Sequence, residues 1–334
     1  MKRKDFLLIL IFVICCLFVD NIIGYSLDKL PKKDNRDLDG YMWRDLYNSK
    51  ENSIDIMFVG SSHARFAFNT SLFDTKLEKN TFNLSTPDQT PLGGYYALKQ
   101  ALKSQKPKIV IYEAYWNKMC TADNTTAANF IYDYMKDEFL KLQLMFSIKD
   151  DNKFKEFFLN SYVKSYKHRQ KLHNFLNRAI NGDVLSCYSS VTDINDFGKI
   201  KYAGKGYLET DVVVAQNQLN NSSFKHTKNY NFNNKQLEYF QKTIDLCKEN
   251  NIKMLIVTAP MPLKTLSFVK DYSTYSSKIN NIAIKNNVKY IDYNIINMKQ
   301  NLFDDSCFMD SNHLNSKGAQ KLDLLLLDLI KYLH

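Results

Sequence analysis

Residues 54–63 read Ile-Asp-Ile-Met-Phe-Val-Gly-Ser-Ser-His, and the folded body of the chain is predicted to begin with them. A short apolar run that ends at a glycine is typical of a buried strand. A serine directly after such a strand, at the start of a helix, stands at the sheet edge where open α/β folds bind their ligands. Gly-Ser-Ser is also common in turns and helix caps, so this stretch alone indicates a position and no chemistry.

Strands and helices alternate along most of the chain. Further strands are predicted at 82–84, 108–113, 253–258 and 288–292, and apolar residues with helical spacing fall at 92–104, 234–250, 272–286 and 316–333. Strands that alternate with helices over short connections favour a parallel sheet covered on both faces. We therefore expect an α/β fold, a three-layer α/β/α sandwich that is flavodoxin-like in plan.

The alternation stops between about residues 118 and 230. Helical spacing of apolar residues continues at 139–146 and 154–176, and a looser stretch follows from 187 to 227. We interpret this part as a mostly helical insertion within a catalytic domain that spans 53–334.

The N-terminus has the composition of an export signal. Three cations at residues 2–4 precede an apolar run at 6–19, and no good small-residue cleavage site follows. The interpretation adopted for 1–24 is an uncleaved signal anchor, a single transmembrane helix with the body outside the cytoplasm, and a cleaved signal peptide is the alternative. Residues 25–52 are polar and are predicted to form a juxtamembrane linker with one short helix near 41–47.

Composition excludes several classes of function. The formal net charge is +10, but the basic residues are scattered and no nucleic-acid-binding motif accompanies them. The sequence has no phosphate loop, dinucleotide fingerprint or His-Glu-x-x-His motif, so neither a cofactor nor a metal is expected. The cysteines lack Cys-x-x-Cys spacing, which favours free thiols over a disulfide framework. A single disulfide outside the cell is the alternative.

A second candidate motif lies just before the last predicted helix. Residues 308–315 read Phe-Met-Asp-Ser-Asn-His-Leu-Asn, with Asp310 three positions before His313. A carboxylate at this spacing in a turn can fix the tautomer of the imidazole and leave its other nitrogen free to deprotonate a serine. Of the residues that follow the Gly-Ser-Ser stretch, His63 is interpreted as structural and Arg65 as the partner of an acid.

The pair of motifs resembles the SGNH, or GDSL-like, hydrolase superfamily. The resemblance covers about 54–117 and 232–334, and it implies Ser62 as nucleophile, His313 as base and Asp310 as the group that orients it. The Gly-Ser-Ser-His form, the signal anchor and the insertion look most like the envelope branch of that superfamily. This branch includes the teichoic-acid D-alanylation protein and the alginate O-acetyltransferases.

The resemblance is weaker in the blocks that supply the oxyanion donors. The family glycine has no counterpart in Asn-Leu-Ser-Thr at 83–86. The backbone N–H of Ser85 is the candidate donor in its place, and Asn117 is the candidate for the family asparagine. This departure favours one alternative, a catalytically silent SGNH-like envelope assembly or polymer-binding protein.

The resemblance as a whole implies a membrane-anchored extracytoplasmic serine acyl-ester enzyme. Its substrate would be a cell-envelope polysaccharide or teichoic acid, and it would act as an O-acyltransferase or as an esterase. A transferase of this kind implies a membrane-bound O-acyltransferase as partner.

Overall fold

A computed structural model describes residues 3–28, 38–123, 125–148, 163–167, 196–197, 199–220 and 231–332, with the single residues 155 and 159. Most of the helical segment predicted at 154–176, and parts of the looser stretch at 187–227, lie outside the described residues. The chain divides into two compact units, a smaller one drawn from 1–37 and 145–194 and a larger one drawn from 38–144 and 195–334.

The described strands and helices have the following bounds. In chain order the strands are β1 (Ile56–Val59), β2 (Thr81–Asn83), β3 (Ile109–Glu113), β4 (Asp196–Phe197), β5 (Ile200–Gly204), β6 (Tyr207–Glu209), β7 (Lys253–Thr258) and β8 (Lys289–Asp292). The helices are α1 (Arg3–Asp28), α2 (Leu38–Asn48), α3 (Ser62–Ala67), α4 (Thr70–Leu77), α5 (Pro91–Ala101), α6 (Trp116–Cys120), α7 (Thr125–Tyr132), α8 (Glu138–Ser147), α9 (Lys164–Lys167), α10 (Gln216–Asn220), α11 (Asn234–Glu249), α12 (Leu263–Leu266), α13 (Tyr272–Lys285), α14 (Tyr293–Gln300) and α15 (Ser316–Lys331).

The central sheet of the larger unit is parallel throughout, in the order β2-β1-β3-β7-β8. Counted along the chain, the order of its strands is second, first, third, fourth, fifth, which is the flavodoxin-like order. The strand order reverses between β1 and β3, and such switch points open the crevice in which these sheets bind ligands. The predicted α/β fold with a parallel sheet is confirmed, and the strands foreseen from the sequence are all present.

Successive strand residues point to opposite faces of the sheet, so the apolar strands present apolar side chains on both faces. Helices cover both of these faces. On one face the side chains pack against the last helix in a continuous apolar core, which includes Ile56, Phe58, Ile109, Ile111, Leu255, Val257, Leu322, Leu326 and Ile330. On the other face the ring of Tyr112 lies 5.0 Å from that of Phe240 in α11. A Cβ on Gly94 of α5 would come within 3.3 Å of Val59, so this helix lies directly on the sheet. The result is the expected three-layer sandwich.

A small antiparallel sheet, β4-β5-β6, lies inside the insertion that the sequence predicts as mostly helical. Its strands have two to five residues, too short for a clear period-2 signal. The β5–β6 turn carries positive φ at Gly204, Lys205 and Gly206. Its tip contacts the end of β2, where Asn83 N donates to Lys205 O at 2.8 Å. A Cβ on Gly206 would lie 1.8 Å from Asn83 O, so this close approach requires glycine.

The helix α1 is long and apolar enough to cross a membrane, by length and composition. The span Lys4–Tyr25 has a mean hydropathy of 2.9. The helix continues to Asp28, past residue 24 where the predicted anchor ends. Within the same unit, the carboxylate of Asp20 accepts hydrogen bonds from the backbone N–H groups of Lys164 and Ser165, at 2.7 and 2.9 Å.

The helix α2 lies inside the range 25–52 that the sequence assigns to a linker, and it belongs to the larger unit. It contains the short helix predicted near 41–47. Trp43 is buried and its Nε1 donates to Phe130 O at 3.1 Å. The buried side chain of Asp39 accepts from Arg65 Nη1 at 2.8 Å, which confirms that Arg65 pairs with an acid.

We expect this buried ion pair to be important for stability. Asp39→Ala leaves the Arg65 guanidinium, 1% exposed, without its carboxylate, and such a loss costs about 3–5 kcal/mol of unfolding free energy. Asp328→Ala is the matched control, because its pair with Lys331 is exposed and the change is expected to stay below about 1 kcal/mol. Urea unfolding of the detergent-solubilised protein measures both. Equal small changes in the two variants would contradict a structural role for the buried pair.

Candidate active site

The carboxyl end of β1 brings Ser62 to the edge of the sheet. Gly60 lets the chain turn closely over β3, since a Cβ there would lie 2.8 Å from that of Ala64 and 2.9 Å from that of Glu113. Ser61 caps the following helix, and its Oγ accepts from His63 N at 3.3 Å. Ser62 is therefore the first residue of α3, and the residue is partly exposed.

The Asp-x-x-His motif forms a hydrogen-bonded turn before α15. Phe308 and Leu314 form an isolated antiparallel bridge across the turn. Asp310 Oδ1 accepts the backbone N–H groups of Asn312 and His313, both at 2.7 Å. These bonds hold the carboxylate next to the histidine that follows it, and the other oxygen stays available for the ring.

The two motifs meet in a continuous hydrogen-bonded chain. His313 Nε2 lies 2.8 Å from Ser62 Oγ, and His313 Nδ1 lies 2.9 Å from Asp310 Oδ2. Ser62 and His313 therefore meet although 251 positions separate them in the sequence. The carboxylate of Asp310 accepts the Nδ1 proton, so Nε2 is left to accept the proton of the serine hydroxyl. Partial burial favours a higher pKa for Asp310, but its hydrogen bonds and the charge of His313 outweigh that effect and lower the pKa.

A second histidine lies behind the first. His63 is buried and stacks on Tyr115, with ring centroids 3.7 Å apart and an interplanar angle of 15°. Its Nε2 lies 2.7 Å from Asn312 Oδ1, which also accepts from Tyr115 Oη at 2.7 Å. Burial, and then the nearby His313, lower the pKa of His63 to about 3. The ring is therefore neutral above that pH. Because the unfolded chain protonates this histidine near pH 6.5, His63 lowers the free energy of unfolding progressively as the pH falls from about 6.5 towards 3.

A buried carboxyl group completes this layer. Glu113, the last residue of β3, is 2% exposed, and burial raises its pKa well above the usual value. Its Oε1 accepts from Ala259 N at 3.4 Å and lies 3.9 Å from His63 Nδ1. Sequence reasoning missed Glu113, Tyr115 and Asn312. An acid at the end of an apolar strand was a usable signal for the first, whereas nothing local marked the other two.

Ser85 and Asn117, the residues predicted to form the oxyanion site, follow β2 and β3 and so lie beyond the same ends of the sheet as Ser62. Ser85 is fully buried, and its hydroxyl has no hydrogen-bond partner among the described residues. Asn117 is in α6, where its backbone carbonyl oxygen accepts a hydrogen bond from Thr121 N at 3.0 Å. In the part of the chain that the structure describes, no hydrogen bond joins either side chain to the Ser62–His313–Asp310 group.

The free cysteines of the described chain agree with the expectation from their spacing. Cys247 and Cys307 are buried and Cys120 is half-buried, all as thiols, while Cys187 lies outside the described residues. Burial raises the pKa of Cys120 to about 11 and that of Cys247 to about 12. The two thiols stay protonated at neutral pH, so neither is a candidate nucleophile.

The fold and the site define an α/β protein with a Ser-His-Asp constellation at the carboxyl edge of a parallel sheet. A family model described as "Protein of unknown function (DUF1574)" matches residues 1–322, and the chain belongs to that family. None of the curated proteins matches the chain.

Several solved structures are similar to this chain at low identity. A proposed acylhydrolase from Bacteroides fragilis NCTC 9343 has 13% identity and a TM-score of 0.43, covering 91% of this chain and 100% of its own. A GDSL-like lipase from Bacteroides thetaiotaomicron VPI-5482 has 8% identity and a TM-score of 0.42, covering 90% and 99%. An acetyl xylan esterase has 13% identity and a TM-score of 0.39, covering 84% and 98%. At such values the function has to be inferred from the geometry of the site itself.

Proposed function

We propose that this chain is a membrane-anchored serine enzyme that acts on acyl esters, with Ser62 as nucleophile, His313 as base and Asp310 as the residue that orients it. One observation carries the proposal: the unbroken hydrogen bonds from Asp310 Oδ2 through the imidazole to Ser62 Oγ. The side chain of His313 is 17% exposed, so the base is largely shielded from water.

The proposed reaction has two halves. Ser62 Oγ attacks the carbonyl carbon of an ester while His313 Nε2 accepts the hydroxyl proton. The tetrahedral intermediate expels an alkoxide, which takes that proton, and an acyl group stays on Ser62. A second hydroxyl then attacks the acyl carbon and gives its proton to His313 Nε2. This second tetrahedral intermediate expels Ser62 Oγ, which takes the proton back from His313 and restores the starting state. The backbone N–H groups of Ser62 and Ser85 and the amide of Asn117 are the proposed oxyanion donors. The mechanism needs no metal or cofactor.

The hydroxyl of the second half decides between esterase and transferase. Water gives an esterase, and a hydroxyl of a cell-envelope polysaccharide or teichoic acid gives an O-acyltransferase. We propose the transferase on the outer side of the membrane. The span Lys4–Tyr25 would hold the enzyme beside a membrane-bound O-acyltransferase that supplies the acyl group. The sequence resembles the envelope branch, which includes the teichoic-acid D-alanylation protein and the alginate O-acetyltransferases, and this resemblance supports the proposal.

A membrane-impermeant fluorophosphonate probe tests both the activity and the location. In intact cells expressing the full chain, the probe is expected to label the wild type and to leave Ser62→Ala unlabelled, because only an activated serine reacts. Lysed cells provide the comparison for location. Labelling only after lysis would contradict the outward orientation. No labelling in either sample would instead favour the catalytically silent envelope protein.

A further inference from the structure

We propose that the side-chain amide of Asn312 is a further catalytic group, which donates Nδ2–H to the carbonyl oxygen of the ester as that oxygen becomes an oxyanion. The inference rests on the proposed function of Ser62. It adds a donor from the turn that also carries the base to the three already proposed, the backbone N–H groups of Ser62 and Ser85 and the amide of Asn117.

The orientation of the Asn312 amide is determined by two hydrogen bonds to its oxygen. Oδ1 lies 2.7 Å from His63 Nε2 and accepts from Tyr115 Oη at 2.7 Å. The nearest acid to His63 Nδ1 is Glu113 Oε1 at 3.9 Å, beyond hydrogen-bond reach. The single N–H of the neutral ring is therefore on Nε2 and points at Oδ1.

With its oxygen held from the buried side, the amide must direct its NH₂ group away from His63 and Tyr115. Asn312 is half-exposed, and no group among the described residues accepts a hydrogen bond from Nδ2. The amide oxygen already accepts two hydrogen bonds, whereas the NH₂ group donates none within the described chain. The NH₂ group can therefore donate to an acceptor on a bound substrate.

The acceptor is inferred from the position of Asn312 in the turn that also carries His313 and Asp310. Ser62 and His63 are neighbours in the sequence, as are Asn312 and His313. Ser62 is hydrogen-bonded to His313, and His63 to Asn312. The ring centroids of the two histidines are 5.2 Å apart. We infer from this pairing that an ester whose carbonyl carbon contacts Ser62 Oγ has its carbonyl oxygen on the side of the Asn312 amide. A neutral, pre-oriented donor of this kind stabilises the oxyanion more than the uncharged ester carbonyl.

His63 and Tyr115 are positioning residues in this arrangement, because they act through Asn312. This gives a buried histidine next to the nucleophile a function that agrees with its structural interpretation. The stack of the two rings, at 3.7 Å, restricts the direction from which both hydrogen bonds reach Oδ1.

The test compares two variants that both lose the donor. Asn312→Ala removes the whole amide, and Asn312→Asp keeps an acceptor for His63 and Tyr115. We expect kcat for hydrolysis of p-nitrophenyl acetate by the full chain in detergent to fall about 10²–10³-fold in both, with KM within about threefold. Asn280→Ala, at an exposed position of α13, is the control and is expected to keep the wild-type kcat.

The outcomes separate this inference from the proposed function. A wild type that neither hydrolyses the ester nor reacts with a fluorophosphonate overturns both. An active wild type with an Asn312→Ala variant within about threefold of it overturns the Asn312 donor alone. If thermal melting shows that Asn312→Ala does not fold, Asn312→Asp decides. If Asn312→Asp kept at least half of the wild-type kcat, the donor would be overturned, and Asn312 would serve only to hold His63 and Tyr115 in place.

Discussion

Ser62→Ala is expected to reduce ester hydrolysis or acyl transfer by about 10⁴-fold or more, which is the scale of loss when a triad serine is removed. In the proposed mechanism Ser62 Oγ is the atom that forms the acyl-enzyme, and the variant lacks it. Ser62 is partly exposed and its hydroxyl is hydrogen-bonded to His313, so the loss of the hydroxyl should change the unfolding free energy by no more than about 1 kcal/mol. The measurement is kcat/KM for p-nitrophenyl acetate, accompanied by a thermal melt.

Ser61→Ala is the matched control, one residue away and also a serine. Ser61 is buried and caps α3 through a long hydrogen bond from His63 N at 3.3 Å. Loss of such a cap costs about 1 kcal/mol of stability, and we expect activity to stay within about tenfold of the wild type. If Ser61→Ala abolished activity while Ser62→Ala kept it, Ser61 would be the nucleophile. If neither variant changed activity, the catalytically silent envelope protein would be favoured.

His313→Ala is expected to reduce kcat about as strongly as Ser62→Ala, because the serine then has no base at 2.8 Å. The double variant should be hardly worse than either single one, since residues that act as one unit give strongly non-additive losses. The measurement is a double-mutant cycle, in which kcat is compared at one pH for the wild type, the two single variants and the double variant. Losses that multiply would show that Ser62 and His313 act independently.

The local patterns of the sequence predicted the layers of the fold well. Short apolar runs predicted the parallel strands, and the helical spacing at 234–250 and 316–333 predicted two of the covering helices, now α11 and α15. Both signals depend on residues within a few positions of each other, so they can be read without the fold. The short strands β5 and β6 could not be found in this way. They depend on the contact of the turn at Lys205 with Asn83, more than 100 residues earlier.

The candidate triad was foreseen because two motifs resemble those of one superfamily, and the strand order then brings them to the same edge. The layer behind the triad had no such signal. His63, Tyr115 and Asn312 bond across separations of 249 and 197 residues, and none of the three stands in a motif that indicates the others. The pairing of Arg65 with Asp39 was expected only as a pairing with some acid.

The sequence by itself determined the α/β class and the apolar N-terminal helix, since composition and periodicity carry that information. Ser62, His313 and Asp310 became candidates because their two short motifs together resemble those of one superfamily. The tertiary structure alone decided which groups surround them. The reversal of strand order between β1 and β3 brings Tyr115 and His63 together, and the turn before α15 adds Asn312. The physical reason is that hydrogen bonds and ring stacking depend on distances of a few ångströms, which only the packed chain sets between residues far apart in sequence.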